Sequence, residues 1–198
     1  MAIETDAQVM LNVKAGDEAA FELLLAKYRS AVVKFIYRMV QNVAVAEELA
    51  QEVFLRVYRA RAGYEPSAKF TTWLFRIATH IALNALRDGR KERRHESLDA
   101  PDEDHPPEVR ETHQNIETYL VESSEFQEIR RAVHTLPAKQ RVAVILHKYH
   151  ELDYRQIADS LDCSESAVKS LLFRAYETLR QRLAHFAPPS ATAAARGN

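Results

Sequence analysis

Apolar residues recur at three- and four-residue spacing through the first third of the chain. Phe21, Leu24, Leu25, Tyr28, Val32, Phe35, Ile36 and Met39 mark one face of a helix that starts at Asp17. A break near Gln41–Asn42 leads into a second helix, on which Leu49, Val53, Phe54 and Val57 form the apolar stripe as far as Arg59. "RAGYEPSAKF" contains Gly63 and Pro66 and reads as a loop. A third helix starts near Thr71, with Trp73, Leu74, Ile77, Ile81 and Ala85 on its core-facing side. From Glu96 to Glu117 periodicity fades in an acidic, Pro-containing stretch that reads as a flexible linker whose end can enter a helix. Leu136–Pro137 interrupts the chain again. "AKQRVAVILHKYH" is a helix with Val142, Val144, Ile145, Leu146 and Tyr149 inside, and two short helices follow, joined by a tight turn. The tail after residue 186 has no pattern to hold it. Nothing demands a sheet. The expectation is an all-α chain of two small helical domains, over residues 1–95 and 129–186, joined by the acidic linker 96–128.

Composition agrees with long helices: the 198 residues include only 4 Gly, and 46% are hydrophobic. A single cysteine, Cys163, rules out an internal disulfide and a Cys-based zinc site. It sits in the turn between the last two helices, where a small buried residue is expected. The first residues lack the basic and apolar run of a signal peptide, and no stretch nears the ~20 apolar residues of a membrane span, so a cytoplasmic location is expected.

Charge changes the picture through its distribution. The net charge of −1 hides a block of +5 over residues 61–95, one of −10 over 96–128 and one of +4 over 129–185. A nearly neutral chain with this layout can still present basic surfaces to a polyanion. On the third helix Arg76, His80, Asn84, Arg87 and Lys91 share one face, a ladder of cations and hydrogen-bonding groups suited to nucleic acid. Tyr64 and Phe70, at the loop edge, are candidates to stack on unpaired bases, while Trp73 is expected to pack in the core. On the second helix Glu47, Glu48, Gln51 and Glu52 form an acidic edge.

"YRQIADSLDCSESAVKSLLFRAYETL" has the form of a helix-turn-helix. Ile157, Ala158 and Leu161 are the buried side of its first helix, and Ser164 is placed to cap the second. Val168, Leu171, Leu172 and Ala175 anchor that second helix. Ser164, Ser166, Lys169 and Ser170, with Phe173 and Arg174 one turn on, form the face that would enter a major groove. An ordinary helical hairpin with solvated charges is the plain alternative.

Together, "GDEAAFELLLAKY", "AEELAQEVFLRVYRA", "FTTWLFRIATHIALNALRD" and "LPAKQRVAVILHKYHELDYRQIADSLDCSESAVKSLLFRAYETLR" resemble the sigma-70 family of bacterial transcription initiation factors, in the two-domain extracytoplasmic function (ECF) group. The first three resemble conserved region 2 and the last resembles region 4. The resemblance implies that the acidic edge Glu47, Glu48, Gln51 and Glu52 docks on core RNA polymerase. It implies that the helix from Thr71 and its preceding loop capture the open strand of the −10 element, and that the helix-turn-helix reads the −35 duplex. It implies promoter DNA and an anti-sigma protein as further partners, with no cofactor, metal or small-molecule substrate. His80 stands where many relatives carry Asn, and Leu171 where Arg is frequent, which bears on the promoter sequence read.

A conventional regulator, with a helical sensor or dimerisation domain ahead of the helix-turn-helix, explains the C-terminal half but not the ladder over residues 76–94. An enzyme would need a catalytic arrangement, and the chain has neither a Gly-rich phosphate loop nor a nucleophile motif. His147 and His150 are close enough to share a metal but have no third ligand nearby in sequence.

Overall fold

The computed structural model describes residues 5–96 and 124–186, and side chains within 5–89 and 126–186. The described residues form eight α-helices and two short 3-10 turns: α1 (Asp6–Lys14), α2 (Glu18–Val40), α3 (Val43–Arg59), the turn Ala60–Gly63, α4 (Phe70–Glu96), α5 (Ser124–His134), α6 (Ala138–Tyr149), α7 (Tyr154–Leu161), α8 (Glu165–Arg182) and the turn Ala184–Phe186. There is no strand among them.

Local chemistry sets the boundaries. Asp17 caps α2 by accepting from the Ala20 N–H at 3.1 Å. Gln41 ends α2 in the left-handed region, φ 57°, and Asn42 opens α3 by accepting from the Val45 N–H at 3.0 Å. The break expected at Gln41–Asn42 is therefore a stop and a start side by side. A capping box of Asp153 and Gln156 begins α7. Asp162 terminates it with φ 49° and ψ 53°, and Ser164 starts α8 by accepting from the Ala167 N–H.

α1 was not anticipated. Its Met10 and Val13 are buried, while Asp6 ties it to α2 through Lys27 and Tyr28, each at 2.5 Å. Lys14 donates to the carbonyl of Tyr64 at 2.9 Å, so α1 also fastens the loop ahead of α4.

Phe35, Ile36 and Met39 of α2, Val53 and Val57 of α3, and Leu74, Ala78 and Ile81 of α4 form the N-terminal core. Leu136, Ile145, Leu146, Ile157, Leu161, Val168 and Leu172 form the C-terminal core. The two are one contiguous cluster, because α6 and α7 pack on α2 and α4. This explains a second buried stripe on α4, Phe75, Ala78 and Ala82, beside the anticipated one. Arg141 is buried at the junction. It donates to Met39 O of α2 at 2.6 Å, to Leu136 O at 3.1 Å and to His134 O. These carbonyls close the C-terminal ends of α2 and α5, where a cation is favoured. The His150 ring lies against Phe75 and Phe35, at centroid distances of 4.2 and 5.8 Å. Tyr149, expected inside α6, is instead half exposed beneath the Arg38 guanidinium at 4.1 Å. Most of the acidic stretch lies outside the described residues, but its last part, from Ser124, already belongs to α5.

Candidate nucleic-acid interface

α4 carries the ladder. Arg76, Asn84 and Arg87 are exposed and His80 is half exposed along one side of the helix; Lys91 lies in its last turns, outside the described side chains. The structure adds Arg56 and Arg59 from the end of α3, which border with Ile77 and His80 a shallow hollow of about 410 Å³. The basic last turn of α3 was the sequence signal for these two.

The first two rungs are already paired. Arg76 Nη2 lies 2.6 Å from one carboxylate oxygen of Asp162, and His80 Nε2 lies 2.9 Å from the other. Asp162 belongs to the turn of the helix-turn-helix, 86 residues from Arg76 in sequence. Nothing in local spacing signals that contact.

Tyr64 and Phe70 require a correction. Each is only 2% exposed, so neither ring is open to a base. Phe70 packs against Tyr28 and Tyr64, and α1 holds the loop down through Lys14. Trp73 is half buried and meets Tyr64 edge-on at 5.0 Å, the packing role expected of it.

The second candidate surface is the N-terminal part of α8. Ser164, Ser166, Lys169, Ser170, Phe173 and Arg174 are all exposed, Phe173 by 73%. The Ser164 hydroxyl is engaged as the helix cap and lies 2.9 Å from Ser166 Oγ, and Ser170 donates to Ser166 O. Lys169, Phe173 and Arg174 are thus the longest side chains this face presents outward. Val168, Leu172 and Ala175 fix it from behind, with Leu171 half buried against the core. Burial pushes the Cys163 thiol up despite nearby Lys139, the direction of an unactivated packing residue.

A third surface runs along α2 and α3. Glu47, Glu48 and Gln51 are exposed, and Glu52 is paired with Arg56 at 2.7 Å. Glu47 and Gln51 border a groove of about 520 Å³ floored by Phe21, Leu25, Val33, Phe54 and Leu55. The sequence reading found the acidic edge and missed the groove, at whose border Leu55 is an exposed apolar residue.

His147 and His150 have separate surroundings. His147 Nδ1 lies 3.1 Å from the Tyr176 hydroxyl, whereas burial, and then the Arg38 charge, pull the His150 imidazole down to about 4. Burial and then Arg141 do the same to His134, also to about 4.

Residues 24–92 match the family model for sigma-70 region 2, and residues 126–179 match that for sigma-70 region 4. The chain is 34% identical over 190 residues to the RNA polymerase sigma-H factor of Pseudomonas aeruginosa, covering 91% of this chain and 94% of that one. It is 30% identical over 182 residues to the ECF RNA polymerase sigma-E factor of Escherichia coli K12, covering 90% and 94%. Among solved structures, CnrH in complex with the cytosolic domain of CnrY shares the fold, with a TM-score of 0.67 at 19% identity over 93% of this chain and all of that one. So does the sigma factor RpoE bound to the anti-sigma factor NepR from Bartonella quintana, with a TM-score of 0.63 at 20% identity over 83% and 96%.

Proposed function

The chain belongs to the sigma-70 family of RNA polymerase sigma factors, in its ECF group, and on that premise we propose how its surfaces divide the work of starting transcription. It is a transcription initiation factor that directs bacterial core RNA polymerase to promoters. The observation that carries the division is the pairing, in one chain, of an α4 basic ladder with an α8 whose N-terminal face is exposed.

Residues 1–95 dock on the polymerase and capture the −10 strand. Glu47, Glu48, Gln51 and Glu52, with the adjoining groove, meet a basic coiled coil of the enzyme, for which an acidic edge is electrostatically complementary. Arg76, His80, Asn84, Arg87 and Lys91 follow the open non-template strand, without Tyr64 and Phe70. Extruding a base costs a few kcal/mol of stacking and pairing, so a surface that binds only the opened strand draws the duplex open by mass action. Residues 129–186 read the −35 duplex through Lys169, Ser170, Phe173 and Arg174, with Ser164 and Ser166 at the helix start. The acidic linker passes through the polymerase as a nucleic-acid mimic. An anti-sigma protein is the expected negative partner; support comes from the fold shared with CnrH and RpoE, each solved with a bound protein.

The test is co-elution of the purified chain with bacterial core RNA polymerase, followed by permanganate footprinting on candidate promoters. Promoter-specific strand opening is expected. Failure to bind core, with a stable complex on duplex DNA alone, would replace this reading with that of a conventional regulator.

A further inference from the structure

A row of rings joins α6, α7 and α8 beside the exposed α8 face. His147 of α6 places Nδ1 3.1 Å from the Tyr176 hydroxyl of α8. The same imidazole lies 5.6 Å from the ring of Tyr154, the first residue of α7, with the two planes 33° apart. The Tyr154 ring in turn lies 6.0 Å from Lys169 Nζ of α8. Lys169 and Tyr176 are two turns apart on one face of α8, so the row leaves that face and returns to it through the other two helices. The capping box of Asp153 and Gln156 sets the backbone from which Tyr154 projects. At 38% exposure its ring is no core residue, so packing alone does not account for its place.

Lys169 is the end of the row that meets solvent. Helical spacing offers it Glu165, one turn earlier, as an ion partner. Among the described residues, however, Lys169 pairs with no carboxylate, and its ammonium lies by the Tyr154 ring. The difference is chemical. A carboxylate would neutralise the ammonium and take up its N–H groups. An aromatic face attracts the cation through its quadrupole and leaves all three donors available to a base edge or a phosphate. It also restrains a flexible stem whose rotamer freedom is otherwise lost on binding.

We propose that Tyr154 and His147 are positioning residues for promoter reading: the Tyr154 ring, buttressed by His147, holds the Lys169 ammonium ready for the duplex with its donors free. The inference rests on the assignment of α8 to the −35 duplex. Neither ring has to touch DNA, because both act through Lys169. Tyr176 fixes His147 in turn, which ties the aim of Lys169 to the angle between the helices of the helix-turn-helix.

The experiment uses the full chain as holoenzyme with bacterial core RNA polymerase. Selection from a randomised duplex pool gives the base preference, and the tightest duplex recovered is the probe for affinity. Both are measured for Lys169→Ala, Tyr154→Leu, Tyr154→Phe, His147→Ala and the double variant of Tyr154→Leu with Lys169→Ala. NMR of the free chain follows the Lys169 ε-methylene, which a nearby ring shifts upfield.

An exposed cation–π contact biases an equilibrium by about two- to five-fold, so Tyr154→Leu is expected to weaken the probe duplex by that factor. It should also relax the preference at the same base pair as Lys169→Ala. Tyr154→Phe keeps the ring and is expected to match the wild type, with His147→Ala between the wild type and Tyr154→Leu. The double variant should bind no more weakly than Lys169→Ala alone. If Tyr154→Phe is as weak as Tyr154→Leu, the hydroxyl rather than the ring is at work and the proposal is overturned. Losses that add in the double variant overturn it as well, and wild-type behaviour of His147→Ala removes His147 from the positioning set. If Lys169→Ala binds and selects duplexes as the wild type does, the assignment of α8 fails instead. The NMR shift still decides the positioning: a Lys169 ε-methylene unmoved by Tyr154→Leu sinks it.

Discussion

Acidification should open the junction, and His150 sets the size of the effect. Its ring is buried against Phe75 and Phe35, with Arg38 nearby, and titrates at about 4. Once the halves part, the ring meets water and returns to its ordinary value of ~6.5. The open state then binds more protons between these two values. Closure is therefore fully supported above ~6.5 and is lost progressively as pH falls toward about 4. At about pH 5 the difference amounts to ~2 kcal/mol, a closed-to-open ratio ~30-fold lower than at about pH 8. His134 is shifted the same way by burial and Arg141, but it is half exposed and counts for less. The assay is the distance between spin labels on Leu23→Cys and Gln181→Cys in a Cys163→Ser background, one label on each half, followed across this range together with the NMR titration of the His150 ring. His150→Phe, which keeps an aromatic face and removes the proton site, should hold the closed distance at the acid end. If His150→Phe opens over the same interval as the wild type, the reasoning about this residue fails.

Arg141→Leu should destabilise the closed chain in urea unfolding, because the carbonyls of Met39, His134 and Leu136 lose their shared donor, at about 1–3 kcal/mol; a wild-type midpoint would mean that other donors replace it. Lys169→Ala should lower transcription from a −35-dependent promoter with core co-elution intact, since Lys169 is exposed on α8 and remote from the acidic edge of α3. Full activity there would count against the groove-facing assignment. His80→Asn should change the preferred −10 base without changing polymerase binding, and an identical promoter profile would remove His80 from the reading set.

Helices packed by a simple periodic stripe were legible. α2 and α3, with the stop and start at Gln41 and Asn42, follow from period and capping chemistry, and so does the turn from Leu161 to Ser164. α1 was missed because it is short and its anchors, Asp6 with Lys27 and Tyr28, are polar partners from another helix. That omission carried the error at Tyr64 and Phe70: without α1 in place, two aromatics beside a Gly- and Pro-containing loop read as exposed. α4 was half legible. Its anticipated stripe is buried or half buried, but Phe75, Ala78 and Ala82 are covered by long-range packing that no local pattern encodes. The ladder was placed correctly on the helix, while its engagement by Asp162 depends on tertiary structure alone.

Asp162 also has an evolutionary consequence. Its left-handed backbone, φ 49°, restricts that position largely to Gly, Asn and Asp, and of these three only Asp carries charge. Drift within that small set would leave the helix-turn-helix intact and remove the carboxylate that joins its turn to Arg76 and His80 of α4. A single codon change can thus loosen the seam between the two halves without touching a residue of the exposed α8 face.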